Sequence, residues 1–379
     1  MTEPEEALEQ VLEWIEEHID LEHVREVEKR HRDVLYYRSV DRPPVSVACD
    51  PSPEFPYFPY AEGFYDQTKM MVNELVRPFC HDKADVPSVV SSLETGDDFP
   101  LQIRANYGVT VISSLFGAEV VVRDGSMPWV RPIGREKVIA ALDKGVPDLH
   151  GGVGGRVIET MDFYRTKLAD YPRARQAIHV TQPDLQGTFD NLHLLWGKDL
   201  FVGLYDEPEL VHKALDLVAQ TYSAYVKEIR PHTTEDVGED CIALHWGVLR
   251  GNVILKNDTS IMVSPQAYAE FVRPHDEQIF AACGPGAIHF CGSADHLRDE
   301  MLATQGLTTH DFGQPEMNDL AAWYRQARER NISFMHMLYP SEDILSGQYR
   351  QQFPTGMQFV TKVADVAAGR RLMEAVRGQ

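Results

Sequence analysis

A histidine and a cysteine two residues apart, His289 and Cys291, are the side chains of this sequence best suited to chemistry. They follow a short apolar run at 286–288, a pattern typical of the end of a buried strand. Because alternate residues of a strand point to the same face, we expect the imidazole and the thiol to project side by side. Such a pair provides two zinc ligands, or a cysteine nucleophile with its general base. Two ordinary core side chains are the alternative.

Further polar side chains stand at the ends of other predicted strands, where the active sites of α/β barrels are built. We assign catalytic roles to Arg104, Asp184, His245 and His336, and substrate binding to Asn106, Tyr107, Gln186, Asp190 and Trp246. Each residue also has a structural interpretation, as an interior ion pair, a core histidine or a helix cap. Their predicted convergence on one face of the fold favours the functional interpretation.

A zinc site on His289 and Cys291 needs at least one more protein ligand, because zinc takes three or four from Cys, His, Asp and Glu. His336 and His245 are the first candidates for the third ligand, and carboxylates such as Asp311 follow. A zinc ion that keeps one position open binds an external thiol and lowers its pKa. The pair therefore predicts activation of a thiol, with Cys291 as the nucleophile kept as an alternative.

The elements that position these residues are apolar strand-like runs that alternate with amphipathic helical runs. The predicted strands are Val45–Cys49, Gln102–Asn106, Ile178–Thr181, Ile242–Trp246, Ala287–Cys291, Thr308–Phe312, Ser333–Leu338 and Gln358–Lys362. The predicted helices are Glu5–Arg32, Tyr65–Phe79, Pro208–Ile229, Pro265–Ala282, Asp319–Arg330 and Asp365–Val376. This alternation predicts an α/β fold, a (β/α)₈ TIM barrel at 41–379 behind an N-terminal helical extension at 1–40. An open doubly wound sheet is the alternative.

Composition and charge exclude several classes of function. The 379 residues carry 36 basic and 58 acidic side chains, a formal net charge of −22 that repels nucleic acids and anionic membranes. The five cysteines are scattered and odd in number, which favours a reducing compartment over a disulfide framework. The N-terminus is acidic and no run of eighteen apolar residues occurs, so we expect a cytoplasmic protein with a small-molecule substrate. A homodimer is an open alternative to a monomer.

Several segments of the chain resemble the uroporphyrinogen decarboxylase superfamily, which includes zinc-dependent, corrinoid-linked methyltransferases. The segments are RANYG at 104–108, LFGAE at 115–119, PDLQGTFD at 183–190, Asn257-Asp258 with the stretch at 264–274, IHFCG at 288–292 and FGQPE at 312–316. They occur in the family's order over most of the chain after residue 100. The resemblance implies a (β/α)₈ barrel with its site in the cleft at the carboxyl ends of the strands.

Two branches of that superfamily imply two activities. The methyltransferase branch uses His-x-Cys on this strand to bind zinc, which matches His289 and Cys291, and takes a methyl group from a corrinoid protein. Its further cysteine on the last strand has no counterpart in the stretch at 356–361, so another residue completes the site or the metal is weakly held or absent. The decarboxylase branch has an arginine-rich loop after the first strand and an aspartate near it. Here the stretch at 47–56 contains no arginine, and Asp50 is the acid nearest to the position of that aspartate.

We therefore expect zinc-assisted methyl transfer from a methyl-corrinoid donor to a thiol, with zinc as cofactor and a corrinoid protein as partner. Cofactor-free decarboxylation of uroporphyrinogen or a related polycarboxylate is the second hypothesis, and Arg104, Arg131, Arg156 and Arg250 would have to converge for it. A barrel that binds a ligand without turnover is the third.

Overall fold

The computed structural model describes residues 3–78, 86–123 and 125–378. Its strands are β1 (Val45–Ala48), β2 (Gln102–Arg104), β3 (Glu119–Arg123), β4 (Ser126–Arg131), β5 (His179–Thr181), β6 (Asp236–Gly238), β7 (Cys241–Leu244), β8 (Gly247–Arg250), β9 (Val253–Lys256), β10 (Gly286–Phe290), β11 (Leu307–Phe312), β12 (Ser333–Leu338) and β13 (Met357–Lys362).

The helices alternate with these strands over much of the chain. They are α1 (Pro4–His18), α2 (Leu21–Leu35), α3 (Tyr60–Gly63), α4 (Gln67–Val76), α5 (Val89–Thr95), α6 (Val111–Leu115), α7 (Arg135–Lys144), α8 (Gly154–Leu168), α9 (Pro172–Ala177), α10 (Thr188–Trp196), α11 (Leu200–Asp206), α12 (Pro208–Ile229), α13 (Pro265–Ala267), α14 (Arg273–Cys283), α15 (Arg298–Leu302), α16 (Leu320–Glu329), α17 (Ser341–Leu345), α18 (Gln348–Gln352) and α19 (Val366–Gly378). A turn of π-helix, Tyr268–Val272, joins α13 to α14.

Parallel strands form the centre of the fold. One six-stranded sheet has the order β1-β13-β12-β11-β10-β9, and β2 pairs with β5 in a second parallel ladder. The first strand of the chain thus lies beside the last, with Val45 opposite Phe359. This arrangement confirms the predicted α/β class, because consecutive parallel strands joined by helices are its defining pattern.

The prediction of a parallel strand at Ile242–Trp246 was wrong. The segment Cys241–Leu244 instead pairs antiparallel with Gly247–Arg250 in a hairpin, and the strand that joins the parallel sheet is Val253–Lys256. A two-residue turn joins β7 to β8, and both of its residues, His245 and Trp246, have positive φ. Such turns usually contain Asn-Gly, so a bulky His-Trp pair gives no turn signal in the sequence.

The β7–β8 hairpin packs against the parallel strands. Ile242, Leu244 and Leu249 pack in one buried cluster with Ile254, Ala287 and Met335 of strands β9, β10 and β12. The Gln358 side-chain amide on β13 accepts from the Val248 backbone N–H and donates to its carbonyl. These contacts hold the two hairpin strands in place and thereby fix the position of His245 and Trp246 in the turn.

The N-terminal segment forms two helices where the hydrophobic spacing predicted one. Asp20 separates them and caps the second, because its side chain accepts from the backbone N–H groups of Glu22 and His23. The predicted apolar face of α1 is buried, with Leu8, Val11, Leu12 and Ile15 nearly inaccessible to solvent. The helix predicted to start at Tyr65 is α4, and its predicted end, Phe79, lies outside the described residues.

Within the described part of the chain, no helix is both long enough and apolar enough to cross a bilayer.

A candidate metal centre in a polar cavity

A cavity of about 840 Å³ opens where the parallel strands end. Nine of the eleven site residues expected from the sequence line it, namely Arg104, Asp184, Gln186, Asp190, His245, Trp246, His289, Cys291 and His336. They come from β2, β10 and β12, from the loop after β5 with the first turn of α10, and from the hairpin turn. A cavity of this size accommodates a small organic substrate.

Asn106 and Tyr107 are not among the described residues that line this cavity. The Asn106 amide donates to the buried carboxylate of Glu74 at 2.7 Å, and the Tyr107 hydroxyl bonds to Thr160 at 2.9 Å. The strand β2 ends at Arg104, two residues earlier than predicted, so the chain has already turned away from the sheet. Both residues pack behind the cavity wall.

His289 and Cys291 project together as their spacing predicts. His289 lies on β10 and Cys291 follows its last residue, with 3.4 Å between the imidazole Nε2 and the thiol Sγ. The chain then turns at Gly292, where φ is +94°. Cys291 is only partly buried, so its sulfur meets the cavity rather than the core.

Asp258 completes a group of three potential metal ligands on the cavity side of His289. Its Oδ1 lies 3.5 Å from the His289 Nε2 and accepts the Cys291 backbone N–H at 2.7 Å. The carboxylate oxygen, the imidazole nitrogen and the sulfur all lie within 4.8 Å of one another. One carboxylate, one imidazole and one thiolate form a donor set that zinc accepts in catalytic sites.

Asp311 occupies the opposite side of the His289 ring. Its Oδ2 lies 2.7 Å from the His289 Nδ1 and 3.1 Å from the His245 Nε2, and its Oδ1 lies 3.7 Å from the His336 Nδ1. A carboxylate on one imidazole nitrogen orients the other nitrogen toward a metal. Asp311, His245 and His289 also lie close enough together to hold an ion of their own, but Asp311 is fully buried and already bonded to both rings. The structure thus presents Asp311 as the residue that orients His289.

The electrostatics of these groups favour positive charge at His289. Burial disfavours its imidazolium, but Asp311 and Asp258 outweigh burial and raise the pKa of His289 well above the ordinary value. Burial also opposes ionisation of Asp311, yet the charge of His289 holds the Asp311 pKa well below its usual range. Burial and the charge of Lys256 lower the pKa of His245, which is therefore neutral. The His289 Nε2 would bind either a proton or a metal ion. The negative charges of Asp311 and Asp258 stabilise a cation at this position.

A buried ion pair forms another part of the wall. Lys256, the last residue of β9, bonds to the Asp184 Oδ2 at 2.5 Å, and Gln186 bonds to the other oxygen at 2.7 Å. Although burial opposes it, the charge of Lys256 lowers the pKa of Asp184. Asp184 is thus an ionised residue that holds Lys256 and Gln186 in place.

Asp190 behaves differently from Asp184. Its Oδ1 accepts the Thr259 backbone N–H at 2.7 Å, while its buried Oδ2 has no hydrogen-bond partner in the described structure. Burial, together with the negative charge of Asp258, raises the pKa of Asp190 well above the ordinary value. Asp190 is therefore harder to ionise than an exposed aspartate.

Four cavity residues other than glycine have a backbone in the left-handed region: Gln186, His245, Trp246 and His336. His336 has φ of +50° in the middle of β12, where the pairing with β13 shifts register between Phe334 and Met337. Such a bulge redirects a side chain. Left-handed backbone at these residues costs free energy and concentrates at functional sites in proteins.

Sequence reasoning did not assign Lys256 and Asp258, which both line the cavity. A strand at Val253–Lys256 would have identified them, because Lys256 ends this strand and Asp258 follows two residues later. The apolar run at 241–244 was predicted to be the fourth parallel strand, so the run at 253–256 was not assigned as one.

A scan against protein-family models finds no family that matches this chain, and a search of curated proteins finds no match either.

Proposed function

We propose that the cavity is the active site of a methyltransferase in which Asp258, His289 and Cys291 hold zinc and a thiol accepts the methyl group. The observation that carries the proposal is the set of three donor atoms within 4.8 Å of one another at the wall of an open cavity. Zinc bound there would leave a position for the sulfur of a substrate and would lower the pKa of its thiol.

The chain itself supplies the orientation of these ligands. Asp311 holds the His289 Nδ1, which directs Nε2 toward Cys291 and Asp258. The Cys291 backbone N–H fixes one oxygen of Asp258. The transfer would form a carbon–sulfur bond and break the cobalt–carbon bond of a methyl-corrinoid, with the bonding electron pair remaining on the cobalt and the thiol proton released to solvent. A partly exposed site at the mouth of the strands suits a donor carried by a second protein.

The missing cysteine of the last strand is no obstacle to this ligand set. The strand β13 offers Val360 and Lys362 to the cavity, and neither is a zinc ligand of the usual kind. Asp258 instead supplies the third donor from the loop after β9. His245 and His336, the ligands first expected, turn one nitrogen each toward Asp311.

We further propose that the eight parallel strands close into a (β/α)₈ barrel. The ladder between β1 and β13 joins the first strand to the last. Backbone bonds also span the two places where no ladder links neighbouring strands in the described structure. The Gly187 N–H after β5 donates to the Lys256 carbonyl of β9, and the Asp98 N–H before β2 donates to the Val45 carbonyl of β1.

Decarboxylation of a polycarboxylate has less support. Asp50 forms an ion pair with Arg77 at 3.0 Å and is not among the described residues that line the cavity. Of the four arginines that would have to converge, only Arg104 lines it. Arg131 pairs with Glu119 on β3, and Arg156 and Arg250 bond to backbone carbonyls elsewhere.

Metal analysis of protein purified without chelator tests the proposal. We expect about one zinc per chain, loss of the metal in Cys291→Ala and Asp258→Asn, and retention in Cys241→Ala, a matched control because Cys241 is buried in the hairpin. With zinc bound, the protein should demethylate methylcobalamin in the presence of a thiol, and both ligand variants should lose this activity. Protein that binds no zinc, or variants that keep both metal and activity, would contradict it.

A further inference from the structure

Arg104 is a buried cation at the cavity wall. Its residue is only 7% exposed, and its Nε is buried without a hydrogen-bond partner. Among the residues that the structure describes, none accepts a hydrogen bond from its guanidinium or forms an ion pair with it. A buried arginine normally has its charge paired, because burying unpaired donors costs free energy.

The acids closest to Arg104 are engaged with other donors. The two oxygens of Glu74 accept from the Asn106 amide at 2.7 Å and from the Arg104 backbone N–H at 3.2 Å. The two oxygens of Asp184 accept from Lys256 and Gln186. The guanidinium therefore remains free to bind an acceptor from the cavity.

Trp246 supports the guanidinium without using its N–H groups. The Arg104 Cζ lies 4.5 Å from the centroid of the Trp246 ring, a distance typical of a cation–π contact. Trp246 is itself held in the strained hairpin turn, with φ of +61°. The strained turn thus places an aromatic surface beside a guanidinium that has no hydrogen-bond acceptor in the described structure.

We infer that Arg104 and Trp246 form a subsite for a carboxylate group of the methyl acceptor. A guanidinium presents its N–H groups in a planar fork that matches a carboxylate. This inference rests on the proposed function, because it places the carboxylate and the reacting thiol in one cavity. The rings connect the two places: Trp246 lies 4.5 Å from His245, which lies 5.0 Å from His289, between centroids.

The lining of the cavity favours a substrate with a single carboxylate rather than many. Its acids are Asp184, Asp190, Asp258 and Glu316, and its basic side chains are Arg104, Lys256 and Lys362. Lys256 is bonded to Asp184, so it is not available to a second carboxylate without breaking that pair.

Calorimetric titration of the full-length protein with benzoate, after removal of metal by a chelator, tests the subsite. We expect Arg104→Gln to weaken benzoate binding by about 30-fold, since hydrogen bonds to a charged group contribute about 1.5–3 kcal/mol. Arg104→Lys should weaken it by about 5-fold, because the charge remains and the fork is lost. Arg131→Gln is the matched control and should bind as the wild type does, because Arg131 lies on β4 and pairs with Glu119.

Equal benzoate affinity in wild type and Arg104→Gln would overturn the subsite, as would the absence of binding to the wild type. Inorganic sulfate distinguishes the class of anion: tighter binding of sulfate than of benzoate would replace the carboxylate by a tetrahedral oxyanion and contradict the inference. Melting curves verify that Arg104→Gln is folded before its affinity for benzoate is compared with that of the wild type. Zinc is absent from the titration, so failure of the metal centre and failure of the subsite are separate results.

Discussion

Two groups of charged side chains in this protein differ in how completely their hydrogen bonds are formed. The first consists of Arg30 on α2, Arg42 and Asp98, which we call the anchor group. Asp98 is fully buried, and its oxygens accept from both arginines and from the Val45 backbone N–H. Each oxygen of this carboxylate has at least two donors.

The second group lines the cavity and is incomplete. Buried polar atoms without hydrogen-bond partners in the described structure include Arg104 Nε, Asp190 Oδ2, His245 Nδ1 and His336 Nε2. All four of these residues line the same cavity. These atoms are four of the thirteen buried side-chain atoms without a partner in the described structure, and leaving them unsatisfied costs free energy, which favours a ligand that would satisfy them.

The difference teaches that burial alone does not separate structural charges from functional ones. The Asp98 carboxylate of the anchor group has its hydrogen bonds completed, as in a structural ion pair, whereas the cavity keeps donors and acceptors that a ligand would use. Substitutions in the anchor group should therefore change stability and leave binding intact, whereas substitutions in the cavity should do the reverse.

The largest effect that we expect is from Asp98→Ala. It leaves Arg42 buried without its partner, and breaking a buried ion pair in this way costs about 3–5 kcal/mol of unfolding free energy. Urea denaturation measures the loss. Asp41→Ala is the control, because Asp41 is the exposed partner of Arg30 and should cost less than about 1 kcal/mol. Equal losses for the two variants, or loss of zinc from the folded Asp98→Ala protein, would break the comparison.

The anchor group should also make stability depend on pH. Burial opposes ionisation of Asp98, but Arg42 and Arg30 lower its pKa from 3.8 to about 2. Because the folded pKa is below the unfolded one, this stabilisation is complete above about pH 4 and is lost as the pH falls toward 2. The shift corresponds to about 2 kcal/mol.

The difference in unfolding free energy between wild type and Asp98→Asn isolates this contribution. Subtraction is needed because the neighbouring Asp97 behaves oppositely: burial raises its pKa to about 6. A wild-type-to-variant difference that stays constant between pH 5 and 2.5 would show that Asp98 is not the titrating group.

In the cavity, a single methyl group should displace the metal without removing any ligand. A Cβ on Gly313 would lie 2.5 Å from the Cys291 sulfur, so Gly313→Ala must move that sulfur. We expect zinc affinity to fall at least about tenfold, equal to about 1.4 kcal/mol, with a smaller change in stability than Asp98→Ala gives. Competition with a chromogenic zinc chelator measures it. Gly63→Ala is the control, because its nearest neighbours lie at an ordinary 3.5 Å.

The sequence predicts the local elements well where hydrophobic periodicity is long and uninterrupted. Helix α12, Pro208–Ile229, has the predicted bounds, and the strand at Ser333–Leu338 does as well. Prediction failed at Cys241–Leu244, because a short apolar run reads the same in a parallel strand and in a hairpin. The turn that distinguishes them uses His245 and Trp246 in a conformation that sequence propensity disfavours.

The site followed from the same reasoning, with corresponding gaps. His289, Cys291 and His336 were predicted to lie in one cavity from their positions at strand ends, because parallel strands end on the same side. Asp258 and Lys256 were missed since their strand was not recognised. The sequence also does not predict that the Nε2 of His289 faces Asp258 while its Nδ1 faces Asp311, because the orientation of the ring depends on partners distant in sequence.

The smallest effect concerns the two turns of the β6–β7–β8 sheet, one beside Arg32 of α2 and one in the cavity. Glu239 and Asp240 form the first, and both have φ of +55°, as in the turn of His245 and Trp246. Asp240 is exposed, so Asp240→Gly should relieve its left-handed strain and raise the unfolding free energy by about 0.5 kcal/mol. Thermal melting measures the gain.

The same change in the cavity turn should have the opposite result. Trp246→Gly relieves similar strain, but it removes a buried ring and the support of Arg104, so we expect lower stability and weaker benzoate binding. If Trp246→Gly were instead more stable and bound benzoate as well as the wild type, the strained turn would have no role in the site. Opposite signs for the two glycine substitutions would establish that the contacts of the Trp246 side chain offset the strain of its turn, whereas those of Asp240 do not.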